Sequence, residues 1–144
     1  MSNESSAPAG AAAQPERFQA DSLEAALTVN DLEKSEAWYR DVLGFTIDRR
    51  HERAGKVIAV SLRAGAVRLL ISQDDGAKGP GRIKGEGFSL QLTTREHADA
   101  IASRIKRRGG VLDSEPIDVP WGARVLRLRD PDGFKLTISS TPAA

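Results

Sequence analysis

Residues 28–45, TVNDLEKSEAWYRDVLGF, decide the fold of this chain. The alternating segment EAALTV (24–29), which runs into them, predicts a β-strand. Asn30 and Glu33 have the spacing of a capping box, which predicts that a helix starts there. Gly44 predicts the end of that helix, because a left-handed backbone costs glycine little. FTIDRR follows and predicts a second strand.

The same order continues and then repeats. VIAVSLRA and VRLLIS predict two more strands, which gives residues 23–73 a β-α-β-β-β pattern. The glycine-rich residues 74–86 show no apolar periodicity and are interpreted as a linker. Beyond it, the strand FSLQLT, a helix from about Glu96 to Arg108 and the strands VLDSEP, ARVLRLRD and FKLTIS give residues 87–140 the same pattern.

The two units also match in position. Glu24 and Gly44 lie 65 residues before Ser89 and Gly109, respectively. A unit of this size cannot bury both faces of its own sheet, so we expect the two to pair around a shared concave surface in an α+β fold. Such a concavity is the expected place for a ligand.

Composition limits the chemistry available to this fold. The 144 residues include no cysteine and two histidines, and 21 Lys and Arg balance 20 Asp and Glu. The lack of cysteine excludes disulfides, thiolate metal sites and a cysteine nucleophile. A net charge this close to zero argues against a nucleic-acid partner. The basic runs at 49–53 and 106–108 are interpreted as solvated faces; the alternative is an interaction module that uses these runs or the N-terminal tail.

The N-terminal segment sets the domain boundary. Residues 1–20 are rich in Ser, Ala and Pro, which predicts a disordered tail ahead of a single domain over residues 21–141. No apolar stretch is long enough to span a bilayer, and no signal peptide is recognisable. We expect a cytoplasmic protein with no membrane partner.

Residues 28–45 and a second segment, PWGARVLRLRDPDGFKL (120–136), resemble signatures of the vicinal oxygen chelate superfamily. This superfamily includes glyoxalase I, bleomycin-resistance proteins and extradiol dioxygenases, and the resemblance covers nearly all of residues 23–140. It implies two paired β-α-β-β-β modules that form an open, cupped sheet, commonly completed in a homodimer. The family's enzymes hold a divalent metal, which acts as a Lewis acid, with about four His or Glu side chains in the cup.

Carried onto this sequence, the family's ligand positions fall on Glu24, Leu70, Ser89 and Thr137. Only Glu24 is a plausible ligand of a catalytic metal, so we expect neither a metal nor another cofactor. His51 and His97 fall at none of these positions. The resemblance therefore favours a metal-free member that binds a small molecule in the cup, as bleomycin-resistance-like proteins do. The alternative is a metal-dependent lyase or dioxygenase that uses Glu24 with nonstandard ligands.

Strand alternation gives the cup a small, polar lining. The predicted ligand-binding residues are Glu24, Thr28, Arg68, Ser89, Gln91, Trp121, Lys135 and Thr137. Arg68 and Lys135 can meet a carboxylate or phosphate. Glu24 either pairs with one of these cations, contacts the ligand or acts as the general base of a metal-free enzyme. Trp121 either stacks on a flat ligand at the mouth of the cup or anchors its own turn.

Overall fold

The computed structural model describes residues 16–142 and shows two modules of the same order. The first contains β1 (Ala25–Val29), α1 (Leu32–Trp38), a π-helical turn (Tyr39–Leu43), β2 (Thr46–Arg53), β3 (Lys56–Ala64) and β4 (Val67–Gln73). The second contains β5 (Ser89–Thr94), α2 (Ala98–Arg107), β6 (Leu112–Asp118), β7 (Arg124–Arg129) and β8 (Lys135–Ser140). The predicted α+β fold of two β-α-β-β-β modules is confirmed. Most of the predicted tail lies outside the described residues, and 16–20 are exposed coil.

Each module folds into one four-stranded sheet. The strand orders are β1-β4-β3-β2 and β5-β8-β7-β6. In both sheets the first strand runs parallel to the last, as in the pairs Ala25–Leu69 and Ser89–Lys135, and the other neighbours are antiparallel. A parallel pair needs a crossover connection, which α1 and α2 help to supply.

Alternation along the strands separates an apolar face from a polar one. Leu27, Val29, Leu69 and Ile71 of the first sheet are buried, and the residues between them are exposed or half-buried. The second sheet follows the same rule. Helix α1 packs on β3 and β4, and α2 packs on β6, β7 and β8, so the apolar faces meet the helices in one hydrophobic core that spans both modules. The opposite surface of each sheet is called its polar face below.

The first helix starts one residue later than predicted. Asp31 is its N-cap and accepts a hydrogen bond from Lys34 N at 3.1 Å, so the predicted capping box of Asn30 and Glu33 is wrong. Asn30 instead donates its backbone N–H to Asp132 at 2.9 Å. The helix ends as predicted at Gly44, where φ is +86°.

The second helix is shorter than the predicted range of 96–108. It begins at Ala98, because Glu96 N donates to Thr94 Oγ1 at 3.1 Å in a turn that precedes the helix. After the helix, the chain passes Gly110 in close contact with Ile105 and Val42. A Cβ at Gly110 would lie 2.5 Å from Ile105 Cγ2 and 2.6 Å from Val42 Cγ1. The absence of a side chain here lets α2 approach the π-helical turn of the other module.

Residues 74–86 contain neither helix nor strand. Lys84 Nζ lies 2.6 Å from Asp74 Oδ2, and only 5% of the Lys84 side chain is exposed. Asp74 also accepts from Gly76 N at 2.8 Å. Lys84 and Gly76 lower the pKa of Asp74, so the ion pair ties the two ends of this segment together at neutral pH.

Candidate functional site

The two signature segments of the sequence meet in space and fasten one module to the other. Tyr39 OH donates to Asp130 Oδ2 at 2.7 Å, and both residues are buried. The second oxygen of Asp130 accepts from the backbone N–H groups of Asp132 and Phe134, each at 2.9 Å. This turn therefore presents a fully bonded carboxylate to the helical segment of the first module.

Asp132, in the same turn, adds two hydrogen bonds to the first module. Its carboxylate accepts from Asn30 N at 2.9 Å and from Ser35 Oγ at 3.3 Å. The group formed by Asn30, Ser35, Tyr39, Asp130 and Asp132 is called the clasp. Burial raises the pKa of Asp130, with three donors opposing that shift, and burial next to Asp130 raises the pKa of Tyr39. Tyr39 therefore stays protonated as a donor at neutral pH, and the clasp serves module packing.

The polar faces carry most of the predicted site residues. Cross-strand register pairs Thr28 with Ser72 in the first sheet. It pairs Ser89 with Lys135 and Gln91 with Thr137 in the second. Because cross-strand partners share a face, these residues lie on the surfaces that the helices leave open.

Three of the eight predicted residues come together between the modules. Arg68 of β4 and Ser89 and Gln91 of β5 line a cavity of about 320 Å³, which we call the seam cavity. Its other walls are apolar and include Leu23, Ala25 and Leu90. Among the described residues Arg68 makes no ion pair. The seam cavity thus combines an available guanidinium and two neutral polar side chains with apolar walls.

The other five predicted residues do not line this cavity. Glu24 is exposed just before β1, and within residues 16–142 it has no ion-pair partner, so the internal pair considered from the sequence is not seen. Thr28, Lys135 and Thr137 occupy the polar faces nearby. Trp121 is 75% exposed in the turn between β6 and β7, so it is not the packed anchor considered above, and its role in binding stays a prediction.

The residues at the family's four metal positions do not fit a divalent ion. Leu70 and Thr137 lie on the polar faces, Ser89 lines the seam cavity, and Glu24 alone offers a carboxylate. Across residues 16–142, no group of three or more His, Cys, Asp or Glu side chains is placed to hold a metal. His51 instead lies in β2, where its Nε2 is 2.9 Å from Ser61 Oγ. His97 occupies the N-cap position of α2. We derive no step that uses a metal from this donor set.

Sequence reasoning missed further arginines on the polar faces. Arg63 lies opposite Arg68 and is 3.1 Å from Asp48, and Arg129 lies opposite Lys135 and is 2.8 Å from Asp113. In the second sheet, the spacing of Arg127 and Arg129 in RVLRLR carries this signal, because alternate residues of a strand share a face.

A duplicated β-α-β-β-β module, with one four-stranded sheet in each half, defines the class of fold to which this chain belongs. Within that class, residues 22–138 match the model of the Glyoxalase/Bleomycin resistance protein/Dioxygenase superfamily, and the chain belongs to this superfamily. No curated protein matches the chain by sequence.

Solved structures show the same fold at low sequence identity. UcmS2 is 15% identical with a TM-score of 0.71, and the match covers 86% of this chain and all of that one (100%). TnmS3, an antibiotic binding protein from Streptomyces sp. CB03234, is 22% identical with a TM-score of 0.68 over 88% of this chain and 100% of its own. TioX from Micromonospora sp. ML1 is 19% identical with a TM-score of 0.67 over 84% and 98%.

Within residues 16–142, none of the helices combines the length and apolar character needed to cross a membrane.

Proposed function

We propose that this protein binds a small anionic molecule in the seam cavity without a catalytic metal. The observation that carries the proposal is the position of Arg68 beside Ser89 and Gln91 in a cavity whose remaining walls are apolar. A guanidinium binds a carboxylate or phosphate through two parallel hydrogen bonds, and the Ser and Gln side chains can complete the polar contacts.

The size of the cavity suits a compact ligand. Small-molecule sites measure roughly 300–1,000 Å³ and combine mostly apolar walls with a few polar groups. At about 320 Å³ the seam cavity is at the lower end of that range. We therefore favour a ligand with one anionic group and a small apolar or aromatic body.

Binding is favoured over catalysis by the chemistry of the lining and by one structural relative. None of the residues that line the seam cavity is an acid or a histidine, so it offers no carboxylate or imidazole as a base. TnmS3, which shares the fold, is described as an antibiotic binding protein. We infer by analogy of fold that this chain sequesters its ligand, and we retain a cytoplasmic homodimer with neither nucleic-acid nor membrane partners as its expected form.

The proposal is tested by a binding screen with a matched pair of variants. Aromatic carboxylates and phosphate monoesters would be screened by thermal shift, and hits measured by calorimetry, on wild type, Arg68→Met and Arg53→Met. Arg53 is an exposed arginine at the end of β2 and does not line the cavity, so its variant controls for the lost charge. We expect Arg68→Met to weaken binding by about tenfold or more and Arg53→Met to leave it within about twofold.

Metal analysis separates the proposal from the enzymatic alternative. Stoichiometric zinc, nickel, manganese or iron in the purified protein, with binding lost on chelation and in Glu24→Ala, would support a metal-dependent lyase or dioxygenase instead. Binding that survives chelation and Glu24→Ala agrees with the seam cavity as a metal-free site.

A further inference from the structure

The two modules contact each other at two ends of their boundary. These ends are equivalent in the duplicated fold, because residues of the first module correspond to residues of the second at an offset of 65. At one end the β7–β8 turn joins the helical segment of the first module through the clasp. At the other end the corresponding β3–β4 turn, Gly65–Ala66, faces α2. The position that corresponds to Tyr39 is Arg104. Here a cavity of about 930 Å³ opens between the turn and α2, and we call it the α2 groove.

The floor of the α2 groove is apolar and forms part of the packed core. It includes Phe45, Leu92, Ile101 and Ile138, and three of these are no more than 8% exposed because they belong to the shared core. A floor formed by packed core side chains is present before any ligand arrives, so binding does not have to order it.

The rim of the α2 groove is basic. Arg95, Arg104 and Arg108 line it together with a single acid, Glu96. Arg104 lies 3.3 Å from Glu96, whereas Arg95 and Arg108 have no ion-pair partner in the part of the chain that the structure describes. Arg40 and, more weakly, Arg108 lower the pKa of the nearby Asp41, but that carboxylate is already paired with Arg40 at 2.8 Å and does not line the groove. The lining itself therefore holds three guanidinium groups and one carboxylate over an apolar floor.

We propose that the α2 groove is a second binding site, which takes an amphipathic carboxylate. The carboxylate meets Arg108 at the C-terminal end of α2, and an acyl chain or aromatic body lies on Phe45, Leu92 and Ile101. Charge complementarity selects the anionic head, and the volume, about three times that of the seam cavity, admits a longer body. The two cavities adjoin, because Phe45, Ala66, Val67 and Leu92 line both, but Arg68 lines only the seam cavity and Arg108 lines only the groove. Variants of these two arginines therefore test the two sites separately.

Calorimetric titration with dodecanoate, below its micelle concentration, tests the groove. We expect saturable binding that Arg108→Met weakens by about tenfold, since hydrogen bonds to charged groups are lost. Arg107→Met is the matched control: it removes the same charge from the same end of α2, at a residue that does not line the groove, and we expect less than about a twofold change.

A second variant blocks the space and keeps the charge. Ala64 lines the groove but not the seam cavity, and it shares the helix-facing side of β3 with the buried Leu62. Ala64→Phe therefore places a ring in the groove at a strand position that accepts aromatic residues. We expect a loss of dodecanoate binding similar to that of Arg108→Met. Circular dichroism and thermal unfolding establish that each variant is folded.

Three other outcomes would contradict binding in the α2 groove. The seam cavity is tested separately by the ligand screen described above. Equal losses in Arg107→Met and Arg108→Met would show unspecific attraction to a basic helix end. Loss in Arg68→Met alone would place dodecanoate in the seam cavity. Absence of binding to the wild type would exclude this ligand class for the groove without bearing on the screen for the seam cavity.

Discussion

The two ends of the module boundary occupy equivalent positions and contain opposite chemistry. At the clasp, a turn with two aspartates meets Tyr39 and a helix start, and every buried polar group in that contact has a partner. At the α2 groove, the turn is Gly65–Ala66, which offers no side-chain acceptor, and the position that matches Tyr39 is Arg104. The comparison teaches that a duplicated module can close one end of its boundary with hydrogen bonds and leave a cavity at the other, which is the end that we propose binds a ligand.

The boundary between the modules also forms the seam cavity. Its walls come from both modules, so the positions of Arg68 relative to Ser89 and Gln91 depend on how firmly the modules are joined. Variants of the clasp should therefore lower the stability of the fold and weaken binding as a consequence. Variants of the groove should weaken binding with little loss of stability.

The largest effect is expected from Asp130→Ala. The change removes the acceptor of the buried Tyr39 OH and Phe134 N–H groups and of the partly buried Asp132 N–H. Since each such group costs about 1–3 kcal/mol, we expect a loss of about 3–5 kcal/mol in the free energy of unfolding, measured by urea titration. Asp99→Ala, which breaks an exposed ion pair with Arg124, serves as the control and should cost far less. Equal losses in the two variants would contradict a structural role for the clasp.

A somewhat smaller loss is expected from Gly110→Ala, which forces apart the contact between α2 and the π-helical turn. The new methyl group would overlap Ile105 and Val42. We expect a destabilisation of about 1–3 kcal/mol, measured in the same way, because overpacking a well-packed core forces side chains out of position. Val42→Ala removes one of the overlapping methyl groups, so the double variant should be more stable than the sum of the two losses implies. Strict additivity would show that the overlap is not the cause.

The sequence predicts the fold well because the signals of the fold are local. Period-two alternation and the glycine after the first helix are properties of neighbouring residues, and the same parity places Arg68 and Ser89 on polar faces. The prediction that Asn30 caps the first helix was wrong for the opposite reason. Asn30 is bonded to Asp132, 102 residues away, and no local pattern contains that contact.

The sequence predicts which residues belong to the candidate site, but it does not predict how they are arranged in space. Alternation identifies which side chains share a face, but the convergence of Arg68 with Gln91 depends on how one module packs on the other. Arg108 was interpreted as part of a solvated face; it is exposed, and it also lines the α2 groove, because Gly65–Ala66 leaves space there. The hydrogen bond between Tyr39 and Asp130 spans 91 residues and was missed, although both residues lie in the signature segments.

A direct comparison of the two ends comes from Tyr39→Phe and Arg104→Met. Tyr39→Phe keeps the ring that packs edge-on against Trp38 and Phe45 but removes a donor to the buried Asp130 carboxylate. We expect a loss of about 1–2 kcal/mol in the free energy of unfolding. Arg104→Met should cost less than about 1 kcal/mol, because its bond to Glu96 is partly exposed. Similar losses of unfolding free energy in the two variants would contradict the difference that we describe between the clasp and the α2 groove.

The smallest expected effect is on the pH dependence of stability, to which Asp74 and Asp130 contribute with opposite signs. Lys84 lowers the pKa of Asp74, so the stability that this pair contributes is present above about pH 3.9, the ordinary value for Asp, and is lost as the pH falls through the lowered value. Burial raises the pKa of Asp130, so its contribution has the opposite sign: folding is favoured as the pH falls through the raised value toward the ordinary one.

Two asparagine variants separate these contributions in unfolding measurements between about pH 7 and pH 2.5. Asp74→Asn should flatten the loss of stability in acid, because the residue at 74 no longer takes up a proton on unfolding. Asp130→Asn keeps a side-chain acceptor for the two backbone donors and should steepen the acid loss, because the opposing contribution is gone. Asp75→Asn controls for the loss of a carboxylate in the same loop. An acid loss in Asp74→Asn as steep as in the wild type would show that the ion pair with Lys84 adds nothing to stability.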